Sequence, residues 1–117
     1  ELTLYAYLRI YASMNLDDIR AKAGEALALL KAIASENRLM ILCQLVDEEH
    51  SVGELAQRLG MSETVVSQHL RLLRKDSLVR TRRDGQTIYY ALQGEEARRV
   101  LETLYDIFCS PERDTGE

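Results

Sequence analysis

The chain has 117 residues, 46% of them hydrophobic and 29% charged, with one proline, no tryptophan, two cysteines and a net charge of −4. That suffices for one ordered, mostly helical domain with a single core, and two cysteines are too few for a disulfide scaffold, so reduced thiols and a cytoplasmic setting are expected. No apolar run reaches the ~20 residues of a membrane span, no signal peptide is recognisable, and the acidic balance rules out a uniformly basic surface.

Residues 1–14 form an apolar, tyrosine-rich N-terminal extension. Leu4, Tyr7, Leu8 and Tyr11 have helical spacing, whereas Leu2, Leu4 and the tyrosines would also suit a strand. A short helix is the preferred reading, and Met14 is equally placed to be a native start behind added residues. Asn15 then looks like an N-cap, with Asp17 and Asp18 complementing the positive helix end. Ile19, Ala23, Ala26, Leu27, Leu30 and Ile33 give a long apolar face ending at Ala34. Ser35 can cap a second helix in which Leu39, Leu42, Cys43 and Val46 share a face. Asp47-Glu48-Glu49-His50 closes it as a solvated acidic turn.

Ser51 and Glu54 have capping-box spacing. Leu55, Ala56 and Leu59 follow as one apolar stripe, and Gly60 suits the left-handed residue that ends a helix. Ser62 can cap the next helix. There Val66, Leu70 and Leu73, flanked by Val65 and Leu72, make a core face, while Thr64, Ser67, Gln68, Arg71 and Lys75 occupy the opposite one. After Leu78 the period changes to two. With Asp84-Gly85 as the two-residue turn, Arg83 pairs with Gln86, Arg82 with Thr87, Thr81 with Ile88, Arg80 with Tyr89 and Val79 with Tyr90. One face of the hairpin is then Val79, Thr81, Ile88, Tyr90 and Leu92. The other carries Arg80, Arg82, Thr87 and Tyr89. Gly94 precedes a last helix, Glu95 to Cys109, stopped by Pro111. In it Ala97, Leu101, Leu104 and Phe108 form a narrow seam suited to another helix, in the same subunit or a second one. Residues 111–117 read as a flexible tail.

The fold class expected is mainly α with a β-hairpin wing, a winged helix-turn-helix spanning residues 15–110. From Arg58 to Arg83 the charge is +5, which leaves −9 for the remainder. One concentrated basic element on an acidic chain aims its field and is a DNA-binding signature. Ser67 and Gln68 are placed to read base edges; Ser51, Ser62, Thr64, Arg71, Lys75, Arg80, Arg82, Arg83 and Gln86 are placed to meet the backbone or groove walls. Enzymatic chemistry is not expected: the chain has no glycine-rich phosphate loop, nucleophile elbow, C-x-x-C pair or paired catalytic carboxylates. No cofactor is expected either.

The runs ENRLMILCQL, SVGELAQRLGMSETVVSQHLRLLRKDSLV and RTRRDGQTIYYAL resemble the ArsR family of bacterial winged-helix repressors, over roughly Asp17 to Cys109. The S-x-x-V-S-x-H-L-x-x-L run of that family stands here as Ser62 to Leu73, with one extra residue in its first gap. The resemblance implies a homodimer through the first and last helices, with Leu27, Leu30, Leu101, Leu104 and Phe108 at the interface. It also implies repression from an inverted repeat, for which half-sites about one helical turn, ~34–36 Å, apart or slightly more are expected.

The family's metal-sensing residues are missing. The helix Val52–Leu59 has no cysteine, the last helix has no histidine, and His50 and His69 lie apart, His69 beside the core face as a packing or DNA-proximal residue. No metal site is expected. RLMILC and LYDIFC instead resemble the branch that senses reactive sulfur, the sulfide-responsive repressors such as SqrR and BigR. That resemblance gives Cys43 and Cys109 the role of a sensing pair, linked within one subunit by a disulfide or polysulfide when a persulfide inducer arrives. Read from residues alone, Cys43 beside Leu39 and Leu42 better suits a small buried hydrophobe, and a metal, a metalloid, a general oxidant or no inducer at all stay open as alternatives.

Overall fold

The computed structural model describes residues 15–109, together with Leu4, Ala6 and Arg9, which are helical. The short helix expected within residues 1–14 otherwise lies outside the described residues, as does the tail 111–117. The chain divides into two compact units, 1–31 and 32–117.

Most of helix α1, Leu16–Ile33, belongs to the first unit. Asn15 caps it as expected, its Oδ1 accepting from the Asp17 amide at 2.7 Å. Leu27 and Leu30 are 53% and 54% exposed in the single chain.

The second unit carries α2 (Glu36–Gln44), β1 (His50–Ser51), α3 (Val52–Leu59), α4 (Glu63–Lys75), β2 (Val79–Asp84), β3 (Thr87–Leu92) and α5 (Glu95–Cys109). Its core is built by the apolar faces of four helices: Ile41 and Leu42 of α2, Leu55 of α3, Val66, Leu70 and Leu73 of α4, and Leu101 of α5, with Leu45 just past α2. Burial of each such side chain is worth about 1.5–3 kcal/mol. Leu72, expected beside this face, points outward and is exposed.

Local signals set the helix ends. Ser35 Oγ accepts from the Arg38 amide. Ser51 and Glu54 form a complete capping box, each satisfying the other's backbone amide. Gly60 ends α3 at φ 66° and turns the chain into α4, a left-handed conformation that costs other residues ~1–2 kcal/mol.

The three strands form one antiparallel sheet in the order β1-β3-β2. Two expectations need correction here. His50 is not in a solvated turn: it is 4% exposed and opens strand β1 opposite Tyr90. The hairpin register differs by two residues. Asp84 pairs with Thr87, Arg83 with Ile88, Arg82 with Tyr89, Thr81 with Tyr90, Arg80 with Ala91 and Val79 with Leu92. The central turn residues are therefore Gly85 and Gln86, and only Gly85 has a positive φ, 65°. A turn centred on Asp84-Gly85 would force a positive φ on Asp84 as well; glycine at the first central position avoids that cost. Because the slip is even, each residue keeps its face, and only the cross-strand partners change.

Candidate DNA interface and dithiol site

Helix α4 is divided lengthwise. Val66, Leu70 and Leu73 are fully buried, which fixes its rotation. Thr64, Ser67, Gln68 and Arg71 then line an open groove on the outer surface with Glu63. Lys75 is exposed at the end of the helix. This row of short polar side chains followed by cations is the composition that reads base edges and phosphates from the major groove.

The serines and wing arginines are more committed than their sequence positions suggest. Ser51 and Ser62 use their hydroxyl oxygens as caps, accepting from the amides of Glu54 and Val65 at 3.2 and 3.1 Å. Arg80 donates across the hairpin to the Leu92 carbonyl at 2.7 Å. Arg82 donates from Nε to Glu49 Oε1 at 2.8 Å, with a second bond from the same guanidinium, and its charged end lies 4.9 Å from the Tyr89 ring centroid. That pairing holds the Glu49 carboxyl below its ordinary range. Arg83 and Gln86 stand exposed at the wing tip.

Four contacts escaped sequence reasoning. Glu49 is the anion that holds Arg82; its position follows only once β1 is known to pair beside Tyr89. Asn37 of α2 lies 3.4 Å from Nε2 of His69 on α4, a direct link between the Cys43-bearing helix and the groove-lining helix. The guanidinium of Arg98 on α5 bonds the Val46 carbonyl. Buried His50 is bracketed by Glu54 at 3.3 Å and Glu48 at 3.7 Å.

Cys43 lies on α2 and Cys109 at the end of α5. Both are exposed and unpaired, so Cys43 is not the buried hydrophobe that its apolar neighbours allowed. Packing around its sulfur still pushes the pKa of the Cys43 thiol above the ordinary value, and the charge of Cys109 pushes it further. A cavity of about 330 Å³ opens beside Cys43, lined by Val46, Asp47, Leu101, Glu102 and Tyr105. A free, exposed thiol can exchange with an incoming sulfur donor. Among the described residues no cluster of three or more His, Cys, Asp or Glu is arranged to hold a metal ion.

The expected dimer residues separate into two groups. Leu101 is only 1% exposed, so its side chain belongs to the subunit's own core and is not available to a second copy. Phe108 is 76% exposed, and Tyr105 and Ile107 are exposed with it. Leu104 is half-buried beside Val100 and Thr103 along a shallow apolar depression.

Residues 35–81 match the model of the bacterial regulatory protein arsR family. The chain is 47% identical over 98 residues to the transcriptional activator HlyU of Vibrio cholerae, covering 84% of this chain and 91% of that one. Among solved structures, it is similar to reduced HlyU from Vibrio cholerae, with a TM-score of 0.78 and 45% identity, covering 81% of this chain and 100% of the other. It is similar too to the transcriptional repressor BigR from Xylella fastidiosa, with a TM-score of 0.77 and 40% identity, covering 83% and 99%.

Proposed function

This chain belongs to the ArsR family of bacterial regulatory proteins and is a DNA-binding transcriptional regulator rather than an enzyme, and from that premise we propose that it is a homodimeric repressor released from an inverted-repeat operator when reactive sulfur links Cys43 to Cys109. The observation that carries the reading is that Cys43 shares a cavity with Leu101, Glu102 and Tyr105 of α5, the helix that ends in Cys109. The likeness to a protein solved as reduced HlyU and to the repressor BigR supports both redox sensitivity and repression.

The chemistry balances with a persulfide as the only co-reactant. One cysteine thiolate attacks the outer sulfur of R–S–SH, forming a protein persulfide and releasing R–SH after proton uptake. The second thiolate attacks the cysteine sulfur of that persulfide and expels hydrogen sulfide. Two thiols are oxidised to a disulfide, and the sulfane sulfur takes the two electrons. The cavity beside Cys43 has room for additional sulfur atoms in the link.

The link acts on α2 and the end of α5. Helix α2 contacts α4 through Asn37 and His69, and α5 carries the apolar surface proposed for dimerisation. A shift between them therefore moves the recognition helices relative to the dimer axis and misplaces both half-sites. A coupling of ~2–3 kcal/mol lowers affinity about 30- to 150-fold. Intact-mass measurement after persulfide treatment of the reduced protein tests the first step. A link within one subunit, reversed by a thiol reductant, is expected; intermolecular crosslinking alone, or no change, overturns it. Treatment with peroxide or with thiol-binding metal ions in parallel distinguishes the alternative inducers.

A further inference from the structure

Arg82 of the basic wing is paired with Glu49, which lies just before β1, and an intramolecular ion pair there opposes the wing's purpose. Arg82 faces Tyr89 across the hairpin, and Tyr89 faces Ser51 on the other side. Glu49, two residues before Ser51, reaches over this row, and its carboxylate accepts two hydrogen bonds from the guanidinium that stacks on the Tyr89 ring. Both bonds converge on one carboxylate oxygen, Oε1, and a phosphate oxygen can accept from the same two donors. Both side chains remain solvent-accessible, and water screens an exposed pair of this kind, so it contributes little to stability. It is therefore weak enough to be exchanged.

We propose that Glu49 is an internal phosphate substitute: it holds Arg82 in its binding pose when DNA is absent and is displaced by a backbone phosphate when the wing docks. Glu49 thereby sets how strongly, and with what salt dependence, the wing binds DNA. The preset pose spares the cost of ordering a long side chain on docking. Competition from Glu49 lowers sequence-independent affinity, which favours sites where α4 also makes its base contacts. The inference needs only DNA binding and is independent of the sulfur chemistry.

The test is a double-mutant cycle with a fluorescein-labelled 30-bp duplex of arbitrary sequence, ~30 bp being ample for a two-half-site protein. Binding is followed by anisotropy between ~50 and ~200 mM NaCl. Glu49→Gln should tighten binding several-fold and steepen the slope of log K against log salt by up to ~0.9. In an Arg82→Gln background the same change should do nothing. Arg82→Gln should cost more in the Glu49→Gln protein than in the wild type. A gain that persists without Arg82 would reduce Glu49 to a distant repulsive charge and overturn the exchange. Weaker binding by Glu49→Gln would make it a permanent clamp and overturn it equally. Should Glu49→Gln lower the melting temperature, Glu49→Asp keeps the charge, shortens its reach and must give a smaller gain that again requires Arg82.

Discussion

The guanidinium of Arg98, one turn into α5, donates a hydrogen bond to the main-chain carbonyl of Val46, just past the end of α2. With Leu101 buried one turn further along, this bond pins α5 against the segment that follows Cys43. The same helix ends in Cys109, so the Arg98 contact is the fixed end of a lever whose free end carries the second thiol.

Removal of that fixed end should cost stability. A hydrogen bond from a charged donor is worth ~1.5–3 kcal/mol, and Arg98→Met leaves the Val46 carbonyl without it. Urea unfolding should show a lower midpoint at unchanged slope. An unchanged midpoint would mean that Arg98 does not hold the two elements together.

At the proposed DNA interface, Gln68→Ala should relax sequence preference at a cost of about 1–3 kcal/mol, because Gln68 lies on the outward face of α4, the face proposed to meet base edges. Arg83→Ala should instead weaken all sequences alike and flatten the salt dependence by about one unit of slope. Competition binding against randomised duplexes separates the two effects. Intact preference in Gln68→Ala would contradict this placement of α4.

The proposed dimer predicts a split between neighbouring positions on α5. Phe108→Glu and Leu104→Glu place a charge on the uncovered half and should give a folded monomer by sedimentation and circular dichroism. Leu101→Glu places it inside the subunit, where an unpaired charge cannot be accommodated, and should unfold the chain. A stable dimer carrying Phe108→Glu and Leu104→Glu together would contradict this interface.

The raised pKa of Cys43 fixes the direction of a pH effect. The thiolate is the nucleophile, and burial with the charge of Cys109 keeps Cys43 protonated above the ordinary thiol range. Alkylation of Cys43 in the Cys109→Ser protein should therefore be faster at a given pH than in the wild type, with its rate inflection moved down. Linkage has the matching sign: the folded state holds the proton more tightly, so stability falls as pH rises from the unfolded thiol value through the raised one. Equal alkylation profiles would show that Cys109 does not influence Cys43.

The DNA-binding half was legible because its signals are local. Ser51 with Glu54, Gly60 and Ser62 each satisfy a backbone requirement within four residues, and the apolar period of α4 dictates which side faces outward. What the sequence hid depends on partners far along the chain. Strand β1 is two residues long and has no period to read. The hairpin register was off by two while the faces were right, since an even slip preserves alternation. The Arg80 and Arg82 positions read as open cations because their partners, Leu92 and Glu49, are defined only by the sheet. Leu101 read as interface because a helical seam has the same spacing whether its neighbour is the same subunit or another.

The central claim is that DNA release requires both thiols. The direct measurement is an anisotropy or gel-shift titration of wild type, Cys43→Ser and Cys109→Ser on operator DNA, before and after persulfide. All three should bind alike when reduced, because neither cysteine lies on α4 or the wing. After persulfide the wild type should lose about 30- to 150-fold in affinity, and both variants should stay bound. Release of either single variant by persulfide would contradict the paired-cysteine switch.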